Sequence, residues 1–469
     1  MTLKPSQDTL NRMAAIVGES HVIRDAAGMT GYMREWRDIY VGVSPLVVRP
    51  STTEQVSRIL ALAYDTHTGI VPQGGNTGLA GGQIPRTNGH DVLLSLDRMT
   101  HIVAVSPEEN TLTAEAGATL KAVQDAAEEA GRLFPLSLAS EGSARIGGNL
   151  STNAGGVQVL HYGNARELCL GLEVVLADGR VLSDLSALRK DNTGYDLRNL
   201  FIGAEGTLGI ITKAVLKLFP KVKVYQTAFI AVPSTEAAVS LLSLATEQSS
   251  GRLTAFEILP ELGLQFTERH MGARRPLGDP SPWYVLAELS DAAPDTLLTI
   301  LEHALEKGLA TDAALAASET QRREFWAIRE NMSESQKFEG GSIKHDISVP
   351  VSKVPQFLRE ADAAVERFLP QCRFMSFGHM GDGNIHYNVS QPLGMDKQAF
   401  LDLWEGMNDV VFAVVMRLNG SISAEHGIGQ LKRQRLLEVK TPLQLELMRG
   451  IKALFDPRGI LNPGKVLPP

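Results

Sequence analysis

GIVPQGGNTGLAGG, residues Gly69–Gly82, joins a short β-rich run to a loop in which five of the ten residues from Gln73 to Gly82 are glycine. A strand that runs straight into such a loop presents backbone N–H groups that can close on a phosphate. The spacing is not the G-x-G-x-x-G of a strand–turn–helix, so a Rossmann NAD site is not supported. Two further glycine-rich stretches follow, EGSARIGGNLSTNAGG (Glu141–Gly156) and FIGAEGTLGIIT (Phe201–Thr212). A single one would be weak, because glycine-rich turns are usually only turns, and Gly81, Gly155 and Gly156 suit tight packing as well as ligand contact. Three in one region point to a diphosphate cofactor.

Working outward, PLVVRP reads as a strand closed by Pro50, and STTEQVSRILALAYDT opens a helix with a capping box, Ser51 and Glu54. Val56, Ile59, Leu60 and Ala63 follow at helical spacing. Strands at HIVAV and TLTAEAG precede a helix from about Thr119 to Ala130. LEVVLADGRVL (Leu172–Leu182) is a hairpin turning at Asp-Gly. From about Tyr225 the texture changes: TAFIAVPSTEAAVSLLSLA and SPWYVLAELSD with DTLLTILEHALEKG repeat a strand–helix order, as two related halves of an antiparallel α+β domain. The expected class is α+β. The expected domains are residues 1–223 (core 42–220), a second domain over 224–420, and a proline-rich C-terminal segment, 421–469, that returns to the first.

The chain has 469 residues, with 43% apolar and 21% charged, and a formal charge of −8. That length calls for two or three domains, and the charge argues against nucleic acid as the main partner. Cys169 and Cys372 cannot build a disulfide framework, which suggests a reducing compartment. No apolar run approaches a membrane span; VVFAVVM (Val410–Met416) is the longest. A cytoplasmic location is expected.

The order PQGGNTGL, GSARIGGNLSTNAGG, GLEVVLADG and GAEGTLGIIT, with an ILNPGK ending, resembles the FAD-binding (PCMH-type) domain of the vanillyl-alcohol oxidase family. The resemblance implies that Gln73, Gly74, Gly75, Asn76, Thr77, Gly78, Leu79 and Gly82 wrap the FAD pyrophosphate. It implies that Gly142, Ser143, Gly147, Gly148, Asn153, Ala154 and Gly155 line the cofactor, that Glu205, Gly206, Gly209 and Ile210 lie on its adenine or ribose side, and that Asn462 belongs to the same site. Some relatives tether the flavin through a histidine of the first loop. GGNTG has neither His nor Cys, so the FAD is expected to be non-covalent.

A flavin accepts a hydride, so the rest of the chain must orient a substrate and supply a base. FGHMGDGNIHYNVS (Phe377–Ser390) carries His379 and His386 on either side of an Asp382-Gly383 turn. Directly opposed, their Cβ atoms would be on the order of 5 Å apart, which suits one divalent ion or two merely hydrogen-bonded imidazoles. Asn388 shares the face of His386. SAEHGIG (Ser423–Gly429) offers Glu425 as a third ligand and His426 as a base, or is a charged surface turn. Arg329 and Ser333 are four apart on one helix face, and Lys344 follows on a strand.

These three elements together resemble the C-terminal half of the D-2-hydroxyglutarate dehydrogenase family. The resemblance implies zinc at His379, His386 and Glu425, and a D-2-hydroxy acid held by Arg329, Ser333, Lys344, Asn388 and His426, with His426 catalytic. Ser333 stands where mammalian members carry threonine. Expected partners are an external electron acceptor (an electron-transfer flavoprotein or a quinone) and a second copy in a homodimer. The competing expectations are an FAD-linked D-lactate or glycolate oxidising subunit, and a flavin-binding electron relay without turnover.

Overall fold

Thr53–Thr66 becomes a helix because Thr52, in an extended conformation, turns its hydroxyl to accept the Gln55 N–H at 3.2 Å, while Gln55 Oε1 accepts the Ser51 N–H at 2.8 Å. The cap therefore sits one residue later than the expected Ser51–Glu54 box, since Gln55 reaches back as well as Glu54 would. A computed structural model describes residues 2–468. The chain forms two compact units: Met1–Gly155, Gly163–Lys221 and Glu425–Pro469 in one, Gly156–Tyr162 and Val222–Ala424 in the other.

In the first unit a four-stranded sheet runs in the order Val22–Ile23, Val47–Val48, Asp91–Ser95, Gly69–Gln73, with its last three strands parallel. Gly69–Gln73 is buried at four of five positions and leads directly into the first glycine loop. The C-terminal tail returns along this strand: Ile70 donates to Ile460 O and Asn462 donates to Ile70 O, both at 2.8 Å. A five-stranded antiparallel sheet follows, in the order Ile102–Ser106, Thr111–Glu115, Ile210–Lys217, Cys169–Val175, Val181–Asp184. Its last two strands are the Asp-Gly hairpin, with Gly179 at φ 86°.

The second unit is built on a seven-stranded antiparallel sheet, ordered Asp312–Leu315, Tyr225–Val232, Trp283–Ser290, Leu253–Pro260, Arg373–His379, Asn384–Ser390, Ser342–Ser348. Phe229, Tyr284, Phe325, Trp326, Met375 and Phe377 form part of its core. Pairing places Glu257 opposite His379, Phe377 opposite His386, and His386 and Asn388 opposite Asp346 and Lys344. Alternation then puts all of these on one face. Tyr387 points to the other, where its hydroxyl donates to Asp362 at 2.8 Å.

Burial pushes the Asp362 carboxyl up to about 6 in spite of that hydrogen bond. In the unfolded chain it returns to about 3.9, so the folded state loses stability as pH rises from about 4 through 6 and stays at that lower level above. Asp362→Asn is expected to stabilise the protein at pH 8 by up to about 3 kcal/mol, and by about half as much at pH 5. Denaturant midpoints of both proteins at the two pH values check this; a pH-independent difference would place the shift elsewhere.

Candidate active site

The three glycine loops meet at a cleft of about 860 Å³, open mouth included. Of the expected cofactor residues, Gln73, Gly74, Gly75, Asn76, Thr77, Gly78, Gly82, Gly147, Gly148, Glu205, Gly206, Gly209, Ile210 and Asn462 line it. Leu79, Gly142, Ser143, Asn153, Ala154 and Gly155 do not. The Leu79 carbonyl instead accepts from Arg37, and Asn153 Oδ1 accepts the Arg166 N–H at 3.0 Å. Ser143 backs Gly75, whose Cβ, if it had one, would lie 1.9 Å from the Ser143 carbonyl oxygen.

The lining fits a large polar ligand such as FAD. Asn76, Arg145, Asn149 and Asn462 each line the cleft, and each has a buried polar atom without a hydrogen-bond partner among the described residues, a condition native structures rarely leave uncompensated. A Cβ on Gly148 would meet no protein atom within 4 Å. Burial lowers the pKa of the Arg145 guanidinium, a charge suited to a diphosphate. Arg145 was not among the residues read from the sequence, although it stands inside the second glycine loop.

Two of the lining residues tie the C-terminal part of the chain to the loops. Asn462 Nδ2 donates to Gly82 O at 2.9 Å and Glu205 O at 2.8 Å. Glu205, nine-tenths buried at φ 51°, accepts Ile428 N–H at 2.7 Å and Gly429 N–H at 2.8 Å. Burial raises its pKa, opposed by those two N–H donors. Gly427, at φ 73°, passes so close that a Cβ would lie 2.7 Å from Glu205 Oε1. This clamp fixes the segment that begins at Glu425, and His426 lines the cleft. Glu205 thus carries a positioning contact that the sequence did not reveal.

In the second unit His379 and His386 are diagonal neighbours, paired with Asn384 and Phe377 respectively, and not directly opposed. The turn takes Met380–Gly383, which offsets them by two residues. Their ring centroids are still 5.4 Å apart, because diagonal residues share a face. Two imidazoles so placed fit a divalent ion at metal–nitrogen distances of about 2.0–2.1 Å.

His379 Nδ1 lies 2.7 Å from Glu257 Oε1, and Arg329 Nε donates to Glu257 Oε2 at 2.7 Å. Arg329 also stacks over Phe377, 4.7 Å from the ring centre. Burial would raise the Glu257 carboxyl, but the His379 and Arg329 charges outweigh it and hold it at about 2. The helix carrying Arg329 ends at Glu330, so Ser333 stands in a separate short helix, Met332–Ser335. Lys344 Nζ donates to Ser333 O at 3.3 Å, and Asn388 Nδ2 to Gln336 Oε1 at 3.1 Å. Glu257 and Asp346, both almost fully buried on this face, escaped the sequence reading. The signal for Glu257 was a lone carboxylate in the apolar run LTAFEILP.

Residues 221–466 match the family described as FAD linked oxidases, C-terminal domain, and residues 44–184 match the FAD binding domain. The chain is 37% identical over 469 residues to the mitochondrial D-2-hydroxyglutarate dehydrogenase of Bos taurus, covering 99% of this chain and 84% of that protein. It is 36% identical over 460 residues to the D-2-hydroxyglutarate dehydrogenase of Stutzerimonas stutzeri, covering 97% and 98%. Among solved structures, p-cresol methylhydroxylase superposes at a TM-score of 0.78 with 17% identity, covering 98% of this chain and 97% of that one, a likeness of fold alone. The chain belongs to the FAD-linked oxidase family, in the branch of the D-2-hydroxyglutarate dehydrogenases. It is a flavin-binding oxidoreductase of α+β fold, and none of its described helices is long and apolar enough to cross a membrane.

Proposed function

We propose that the protein is an FAD- and metal-dependent dehydrogenase that oxidises D-2-hydroxyglutarate, with D-malate or D-lactate as further substrates, to the 2-oxo acid. The observation that carries the reading is His426 on the wall of the glycine-lined cleft, in a chain whose relatives bear that activity in their names. When bound, FAD supplies the acceptor for the two electrons that leave the substrate carbon as hydride. When bound by His379, His386 and Glu425, a divalent ion, zinc by ligand type, supplies a Lewis acid for the α-hydroxyl and the neighbouring carboxylate. His426 takes the hydroxyl proton. Arg329, Ser333, Lys344 and Asn388 hold the carboxylates, and two cationic groups favour a diacid over lactate. An external electron-transfer flavoprotein or quinone reoxidises the flavin, and two buried free cysteines agree with a reducing, cytoplasmic setting.

With an artificial acceptor, kcat/KM is expected to be highest for D-2-hydroxyglutarate among D-2-hydroxyglutarate, D-malate, D-lactate and glycolate. A preference for lactate or glycolate would move the substrate assignment to the FAD-linked D-lactate or glycolate enzymes. Exhaustive chelation is expected to abolish turnover with FAD still bound and to be reversed by Zn²⁺. Full activity in the metal-free, FAD-loaded protein would remove the metal from the mechanism.

A further inference from the structure

Glu257 lies 1% exposed in the strand Leu253–Pro260, next to the edge of the histidine-bearing hairpin. A buried carboxylate is costly unless its oxygens are compensated, and here both are spoken for by side chains of opposite assignment. Oε1 meets His379 Nδ1 and Oε2 meets Arg329 Nε, each at 2.7 Å. The first contact holds the imidazole with Nε2 turned away from Glu257. The second engages only the inner nitrogen of the guanidinium, whose two terminal nitrogens carry the donor pair for a carboxylate. The strand register sets Glu257 opposite His379, and the cation–π contact with Phe377 fixes Arg329 from the other side.

We propose that Glu257 is a positioning residue shared by the metal and the substrate: one oxygen fixes His379 as a ligand, the other aims Arg329 at the substrate carboxylate. This rests on the metal-dependent reading above. It makes the two halves of the site mechanically dependent, so that one substitution damages both.

The test is Glu257→Gln in the FAD-loaded, full-length protein. Zn²⁺ affinity is read by competition with a chromophoric chelator, and the visible spectrum is taken after Co²⁺ loading. The dissociation constant for Zn²⁺ is expected to rise about 10–100-fold, the Co²⁺ bands to shift, and KM for D-2-hydroxyglutarate to rise by more than kcat falls. Arg329→Ala removes the substrate arm and leaves the Glu257–His379 contact in place. It is expected to raise KM by a larger factor than it raises the dissociation constant for Zn²⁺, the reverse of the order expected for Glu257→Gln, which separates the two arms. Glu257→Asp, which keeps the charge but withdraws it by one methylene, is expected to lie between wild type and Gln; it serves as the variant if Gln does not fold. Wild-type Zn²⁺ affinity and KM in both Glu257 variants would overturn the positioning role alone. A wild-type protein that takes up no stoichiometric Zn²⁺ or Co²⁺ would overturn the metal reading itself, and this inference with it.

Discussion

His426→Ala is expected to lower kcat by about 10²–10⁴-fold, the range for loss of a positioned general base, with FAD content unchanged. His426 is one of many residues around the cleft, where the glycine loops offer backbone N–H groups and Asn76, Arg145, Asn149 and Asn462 offer side-chain polar atoms, so the imidazole is expected to be dispensable for holding the cofactor. It is held by something else: Glu205 accepts the N–H groups of Ile428 and Gly429, and Gly427 has room beside that carboxylate only because it lacks a Cβ. Anaerobic mixing with D-2-hydroxyglutarate should reduce the flavin of the wild type and leave that of the variant oxidised on the same timescale. Should the variant keep more than a tenth of kcat with rapid flavin reduction, the base is another group.

The glycine-lined cleft was legible because much of its wall is backbone. A loop that must bring N–H groups against a phosphate needs glycine, and glycine is visible in a sequence; the register of QGGNTGLAGG to the end of a strand located it. The histidine pair was legible for a similar reason, since an Asp-Gly turn fixes which residues share a face, although the turn length set His379 and His386 diagonally and not side by side. What stayed hidden depends on pairing between distant strands. Glu257 reads as an oddity in LTAFEILP until Leu253–Pro260 is laid against Arg373–His379, and Asp346 is an ordinary strand residue until its neighbour is His386. Glu205 was noticed for its place in a glycine loop, yet the contacts its side chain makes run to residues more than two hundred positions away. Local propensity carries no information about such partners. The same limit explains the short segment Gly156–Tyr162, which packs with the second unit although both flanks belong to the first.

Three single glycine-to-alanine changes separate what the cleft needs from what its sequence merely contains. In Gly75→Ala the new methyl would sit 1.9 Å from the Ser143 carbonyl oxygen and 2.8 Å from its carbon, and both are backbone atoms. Relief requires the first and second glycine loops to separate, at a cost of about 1–3 kcal/mol for such overpacking, so FAD affinity is expected to fall by about 5–150-fold. Gly148→Ala meets nothing in the protein, and the methyl points into space on the cleft wall. Its thermal stability without FAD is therefore expected to match wild type while FAD affinity drops about tenfold. Gly142→Ala also meets nothing, but Gly142 stands off the cleft, so both stability and FAD affinity are expected to be unchanged. Flavin absorbance after desalting and fluorescence titration of the apoprotein measure the series. The ordering Gly142 harmless, Gly148 weak in binding only, Gly75 weak in binding and in stability is specific to this geometry; equal losses in all three would mean that the loops act through flexibility, and a Gly75→Ala with wild-type FAD affinity would mean that Ser143 does not back the first loop.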